Sequence, residues 1–188
     1  MGKSPGCRSA LLLNTNPIRN VVYKVVSDYA EDYMKYIKSS WHKDIKRVSP
    51  LPVIMFNRIR SNEKNLDELQ TQPHIDSIPT EDDYVYNFAT ILYLNDEKEC
   101  KGGTSFYRHK LSGVEKPKTW EEFHNIVGNA KNKYNNLITE SNNDWEIIGN
   151  ISMKFNRMVI YPTDLFHSGY IEKNDFVNYD RITQTAFF

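Results

Sequence analysis

Hydrophobic and polar positions alternate along this chain with two different periods. Val22, Val25, Val26, Tyr29, Tyr33, Tyr36 and Ile37 recur at helical spacing, which predicts an amphipathic helix over 20–41 that buttresses a sheet. Residues 1–18 carry Gly, Ser, Pro and Asn and read as irregular. Beyond Pro50-Leu51-Pro52 the period shortens. Val53–Ile59 reads as a strand, 61–73 as a polar loop, and the run from Tyr84 to Asn95 as β-rich. Thr119-Trp120-Glu121-Glu122 has the form of a capping box. It opens a predicted helix near 119–138, with Phe123, Ile126, Val127, Ala130 and Tyr134 on one face. Trp145–Met153 and Met158–Tyr161 read as strands, with Phe155-Asn156-Arg157 as the tight turn between them. No internal repeat or low-complexity tract interrupts the pattern. Many short strands, turn signals and two helices predict a mainly β fold with flanking helices, a jelly-roll or related double-stranded barrel.

Length and composition narrow the class. At 188 residues the chain is expected to form a single domain, 1–188. Residues 1–51 supply an N-terminal segment and the buttressing helix, and 52–188 supply the barrel core with its helical insertion. Lys plus Arg and Asp plus Glu both total 24, so the net charge is zero. That balance leaves no electrostatic footprint for nucleic acid or an anionic membrane. Cys7 and Cys100 stand in unrelated contexts, which argues against a disulfide framework and for a reducing, cytoplasmic setting. Leu11-Leu12-Leu13 is too short for a signal-peptide core, and no stretch reaches the ~20 apolar residues of a membrane span.

The chemistry lies in two short segments, Gln72-Pro73-His74-Ile75-Asp76 and Asp164-Leu165-Phe166-His167-Ser168. Two imidazoles and one carboxylate form the ligand set of a mononuclear non-haem Fe(II) site with open coordination positions. In an extended chain residues i and i+2 point to one face. His74 and Asp76 therefore grip a metal from one side, and a distant strand brings His167 to it. His109 and His124 lack partners at ligand spacing, and His42 sits beside Lys43 at a helix end; these read as surface or capping residues. Arg58, Arg60 and Arg108 read as solvated edges.

Further motifs follow in order: Tyr93-Leu94-Asn95 at the end of a strand, Gly102-Gly103 opening the next, and Arg181-Ile182-Thr183 on the last. With His-x-Asp and the distal His, this order resembles the 2-oxoglutarate/Fe(II)-dependent oxygenases, in particular the prolyl-hydroxylase-like branch. The resemblance covers roughly residues 52–188. It implies a double-stranded β-helix, with Fe(II) held by His74, Asp76 and His167, and 2-oxoglutarate and O2 as co-substrates. It also implies that Arg181 pairs with the far carboxylate of 2-oxoglutarate, with Thr183 and Tyr93 supplying hydroxyls. Asp76, where halogenating members have Gly or Ala, implies hydroxylation with release of succinate and CO2. Arg181 follows His167 by fourteen positions, more than the family's usual spacing, and an extra turn over Glu172–Asn178 accounts for the excess. The alternative for Arg181 is a surface salt bridge with Asp180, and for Tyr93 ordinary core packing. The rival function is a cupin-like metal protein that does not use 2-oxoglutarate, and a third is a catalytically inactive binding module. A small molecule, a free amino acid or a protein side chain all fit as substrate.

Overall fold

The computed structural model describes residues 7–8, 53–59, 72–78, 88–128 and 137–187. The helix expected over 20–41 and the stretch 129–136 lie outside them. The described elements are β1 (Cys7–Arg8), β2 (Val53–Ile59), β3 (Phe88–Tyr93), β4 (Gly103–His109), α1 (Trp120–Gly128), β5 (Trp145–Ser152), β6 (Met158–Pro162), β7 (His167–Tyr170) and β8 (Arg181–Phe187). The strands form two antiparallel sheets, one of five strands in the order β1-β2-β8-β3-β6 and one of three in the order β5-β4-β7. The fold is thus mainly β, and among the described residues the two sheets do not close into a continuous barrel. No described helix is long and apolar enough to cross a membrane.

Strand alternation assigns the faces. On the large sheet, Ile59, Ala89, Tyr93, Val159 and Tyr161 turn inward and meet Phe106, Met153 and Ile171 from the small-sheet side in one buried cluster. The small sheet is covered on its other face as well. Tyr107, Trp145 and Phe166 pack there with Ile126 and Val127 of α1. β4 is accordingly buried along most of its length, with Phe106 serving one core and Tyr107 the other. A strand covered on both faces loses the simple polar-apolar alternation.

Two local devices set the connections. Thr119 caps α1, its hydroxyl accepting the Glu122 N–H at 3.1 Å, while the Glu122 carboxylate accepts the Lys118 N–H at 2.7 Å. The sequence pattern predicts a helix to about 138, but Leu137 and Ile138 are not helical. Tertiary contacts claim them instead: Ile138 is buried beside Trp145, and its carbonyl accepts the Tyr107 hydroxyl at 2.8 Å. The turn at Phe155-Asn156 carries the chain from the small sheet to the large one, with Asn156 at φ 60°.

Candidate metal centre

Residues 72–78 run along the outer edge of β7. His74 and His167 exchange both backbone hydrogen bonds, each N–H reaching the other's carbonyl at 2.9 Å. Residues paired this way across an antiparallel ladder present their side chains on the same face. The two imidazoles therefore meet, with ring centroids 4.5 Å apart. Asp76, two residues on, returns to that face, and its N–H is held by the Thr163 carbonyl at 2.8 Å. Ile75, between the two, turns the other way into the core under α1, as does Phe166 before His167. These apolar neighbours fix the register, because a slip of one residue would exchange ligand for core.

The three side chains offer ligand atoms that all lie within 4.8 Å of one another. Asp76 Oδ2 is 3.4 Å from His167 Nε2. Metal bonds of about 2.0–2.2 Å to nitrogen and oxygen span up to ~4.4 Å between ligand atoms, so the cluster is close to the spacing one ion requires. The ring orientations suit it too. His167 Nδ1 lies 2.9 Å from the Leu165 carbonyl, which only accepts, so Nδ1 carries the proton and Nε2 presents a lone pair. His74 Nδ1 faces the Gln72 carbonyl at 3.4 Å with the same consequence. His167 is buried, whereas His74 and Asp76 are half-buried.

A fourth group stands at the cluster. The Tyr161 hydroxyl, on β6, is 3.2 Å from His167 Nε2 and 3.4 Å from Asp76 Oδ2. Burial pushes its pKa well above the ordinary range, and the Asp76 charge adds to the effect. The phenol is thus neutral, with one hydrogen to give to either of two ligand atoms. In the sequence it reads only as part of a strand.

Arg181 occupies the same interior. It is the first residue of β8 and only 4% exposed. Thr183 follows on the same face, with Tyr93 directly opposite on β3. The guanidinium lies 5.5 Å from the Tyr93 ring centroid, and Nη2 donates to the Gly103 carbonyl at 3.2 Å. Its Nε is buried without a partner. Burial lowers the Arg181 pKa and the nearby Tyr93 phenol offsets part of the shift; no carboxylate contributes. Asp180, the alternative partner, pairs instead with Arg58 Nε at 3.1 Å. The Tyr93 hydroxyl shares a 2.7 Å hydrogen bond with Thr104 Oγ1, a contact across the two sheets that the sequence does not announce. Burial raises the Tyr93 pKa, and Arg181 partly counters it. Both Tyr93 and Arg181 also act on the Tyr161 phenol, so the triad and Arg181 share one electrostatic neighbourhood.

The extra residues between His167 and Arg181 form a turn, with Asn174 at φ 74° and Phe176 at φ 56°. Asp175 closes it by giving its N–H to the Glu172 carbonyl at 3.0 Å, and Phe176, 1% exposed, anchors it in the core. The remaining candidates stay outside the site. Arg108 pairs with Glu115 and Glu146, His109 bonds Ser112 at 2.8 Å, and His124 is exposed against Trp120. His42 and Arg60 lie outside the described residues.

A search of the curated proteins finds no match to the chain. The model of a family of unknown function, DUF6445, matches residues 22–188. With nearly the whole chain matched, the protein belongs to the DUF6445 family.

Proposed function

We propose that the protein is an Fe(II)- and 2-oxoglutarate-dependent dioxygenase of the hydroxylating kind, on a double-stranded β-helix core. The observation that carries this reading is the pairing of two features in one interior. One is a cluster of two imidazoles and a carboxylate. The other is a buried Arg181 with an unpartnered Nε and no carboxylate partner among the described residues. Burying a cation alone is costly, and the cost is offset when a ligand carboxylate pairs with it. A metal site of another kind would leave Arg181 unexplained.

His74, Asp76 and His167 suit Fe(II) by donor type and by tautomer, and their ligand atoms lie within 4.8 Å of one another. The iron, with 2-oxoglutarate and O2, would supply the oxidation of a substrate C–H bond, with succinate and CO2 as co-products. The chain's own residues do the rest. Arg181 takes the far carboxylate of 2-oxoglutarate in its planar fork. Thr183 and Tyr93 offer hydroxyls on the same inner surface. Tyr161 donates to Asp76 Oδ2, the oxygen beside His167 Nε2, and keeps that carboxylate turned toward the imidazoles. Phe106 and Val159 keep water from the interior. The substrate class stands as a small molecule, an amino acid or a protein side chain.

Anaerobic calorimetry with Fe(II) and then 2-oxoglutarate tests the reading, followed by a substrate screen for succinate release. One metal and one 2-oxoglutarate per chain are expected. Metal binding without 2-oxoglutarate binding would point to the cupin-like alternative and overturn the proposal.

A further inference from the structure

β3 leaves the large sheet just before the level of Arg181. Its last paired residue is Tyr93, opposite Thr183. Leu94 still gives its N–H to the Ile182 carbonyl at 3.0 Å, and the register would next set Asn95 opposite Arg181. There the backbone turns away into a short 3-10 turn at Glu97–Glu99. In an antiparallel ladder, the carbonyl before a residue and the N–H after it face the same neighbour. The Asp180 carbonyl and the Ile182 N–H would therefore lose their partner. The Asn95 side chain takes both. Its Nδ2 donates to the Asp180 carbonyl at 2.7 Å, and its Oδ1 accepts the Ile182 N–H at 2.7 Å. Asn95 is 2% exposed, so water does not compete for these groups. On the other side of β8, Ile59 pairs with Arg181 through β2.

We propose that Asn95 is the positioning residue of Arg181. Its carboxamide replaces a missing backbone partner and holds Arg181 in extended conformation, so that the guanidinium points between the sheets. A single side chain meets this need only if it offers one donor and one acceptor at short reach, which is what asparagine carries. The departure of β3 makes the chain available to reach Gly103, whose carbonyl is itself an acceptor for Arg181. The consequence for 2-oxoglutarate rests on the function proposed above.

The test uses the full chain with Asn95→Ala and Asn95→Asp. The aspartate keeps an acceptor for the Ile182 N–H, removes the donor to the Asp180 carbonyl and to the Glu99 carboxylate at 3.3 Å, and sets a charge beside both. Two readouts are taken. One is the rate at which phenylglyoxal modifies Arg181, mapped by peptide mass spectrometry with exposed Arg157 as the internal reference. The other is the affinity of the Fe(II)-loaded protein for 2-oxoglutarate, beside its affinity for the metal. Loss of the two hydrogen bonds that flank Arg181 should speed Arg181 modification roughly tenfold and weaken 2-oxoglutarate roughly tenfold, with metal affinity unchanged. The aspartate variant should move the same way, and it carries the test if the alanine variant does not fold. Arg181 as well protected in the variants as in the native chain would overturn the proposal. If the native chain binds no 2-oxoglutarate, the proposed function fails, while Arg181 protection still decides the role of Asn95.

Discussion

His167 meets three demands with one residue. Its backbone pairs with His74, its Nδ1 is committed to the Leu165 carbonyl, and its Nε2 faces Asp76 and Tyr161. His74→Ala or His167→Ala should therefore abolish binding of one Fe(II) per chain, and full iron occupancy in the double variant would remove the metal centre from the account. Asp76→Gly leaves two imidazoles and takes away the anionic ligand, so weak metal binding should persist while turnover is lost. Tyr161→Phe keeps the packing and deletes the donor to Asp76. A hydrogen bond to a charged group contributes about 1.5–3 kcal/mol, so metal affinity, read by competition with a chelator, should fall roughly tenfold to a hundredfold. Unchanged affinity would make Tyr161 a packing residue. The His74–Asp76 pair was legible in the sequence because its geometry is local: i and i+2 share a face whatever lies around them, whereas His167 joins it only through the bridge between its backbone and that of His74. Tyr161 and Thr104 were not legible. Alternation along one strand does not say which face is inward until the neighbouring strand's register is known, and the Tyr93–Thr104 bond crosses from one sheet to the other. Arg181 stood between these cases, since its neighbour Asp180 was an alternative partner, and the structure turns Arg181 inward and Asp180 toward Arg58.

Among the elements, β4 and α1 make the sharpest demands. A Cβ on Gly102, where φ is 63°, would strike the Tyr170 carbonyl, and one on Gly103 would strike the Ile151 carbonyl. Both obstacles are backbone and cannot swing aside. Gly102→Ala adds left-handed strain of roughly 1–2 kcal/mol to its clash, and Gly103→Ala should part β4 from β5. Thermal melts should show both variants well below the native chain; a native melting temperature for Gly103→Ala would mean the sheet yields more easily than close packing allows. Thr119→Ala removes the cap of α1 and should cost about 0.5–2 kcal/mol, seen as faster amide exchange in its first turn. The start of α1 was legible because capping is a matter of four adjacent residues. The non-helical state of Ile138 was not, because the contacts that hold it, to Tyr107 and the core around Trp145, are distant in sequence.

Between the two sheets, polar side chains stand among the apolar core residues. Arg181, Thr183, Tyr93 and Tyr161 lie on the inner surface of the large sheet, and the triad faces them from the edge of the small one. The mainly β character was readable from strand spacing and turn residues. The division into sheets was not: a short turn between two strands looks the same whether they pair or part, and β5 and β6 part. The central claim is that the buried Arg181 waits for a carboxylate that the metal centre also uses. Calorimetry of 2-oxoglutarate binding to the anaerobic Fe(II) protein, native, Arg181→Lys and Arg181→Ala, tests it most directly. Breaking a buried charge pair costs about 3–5 kcal/mol. Arg181→Ala should therefore bind 2-oxoglutarate roughly two to three orders of magnitude more weakly, with Arg181→Lys between and Fe(II) affinity nearly intact in all three. Equal 2-oxoglutarate affinity in the native and Arg181→Ala proteins, or none in the native protein, would contradict the account.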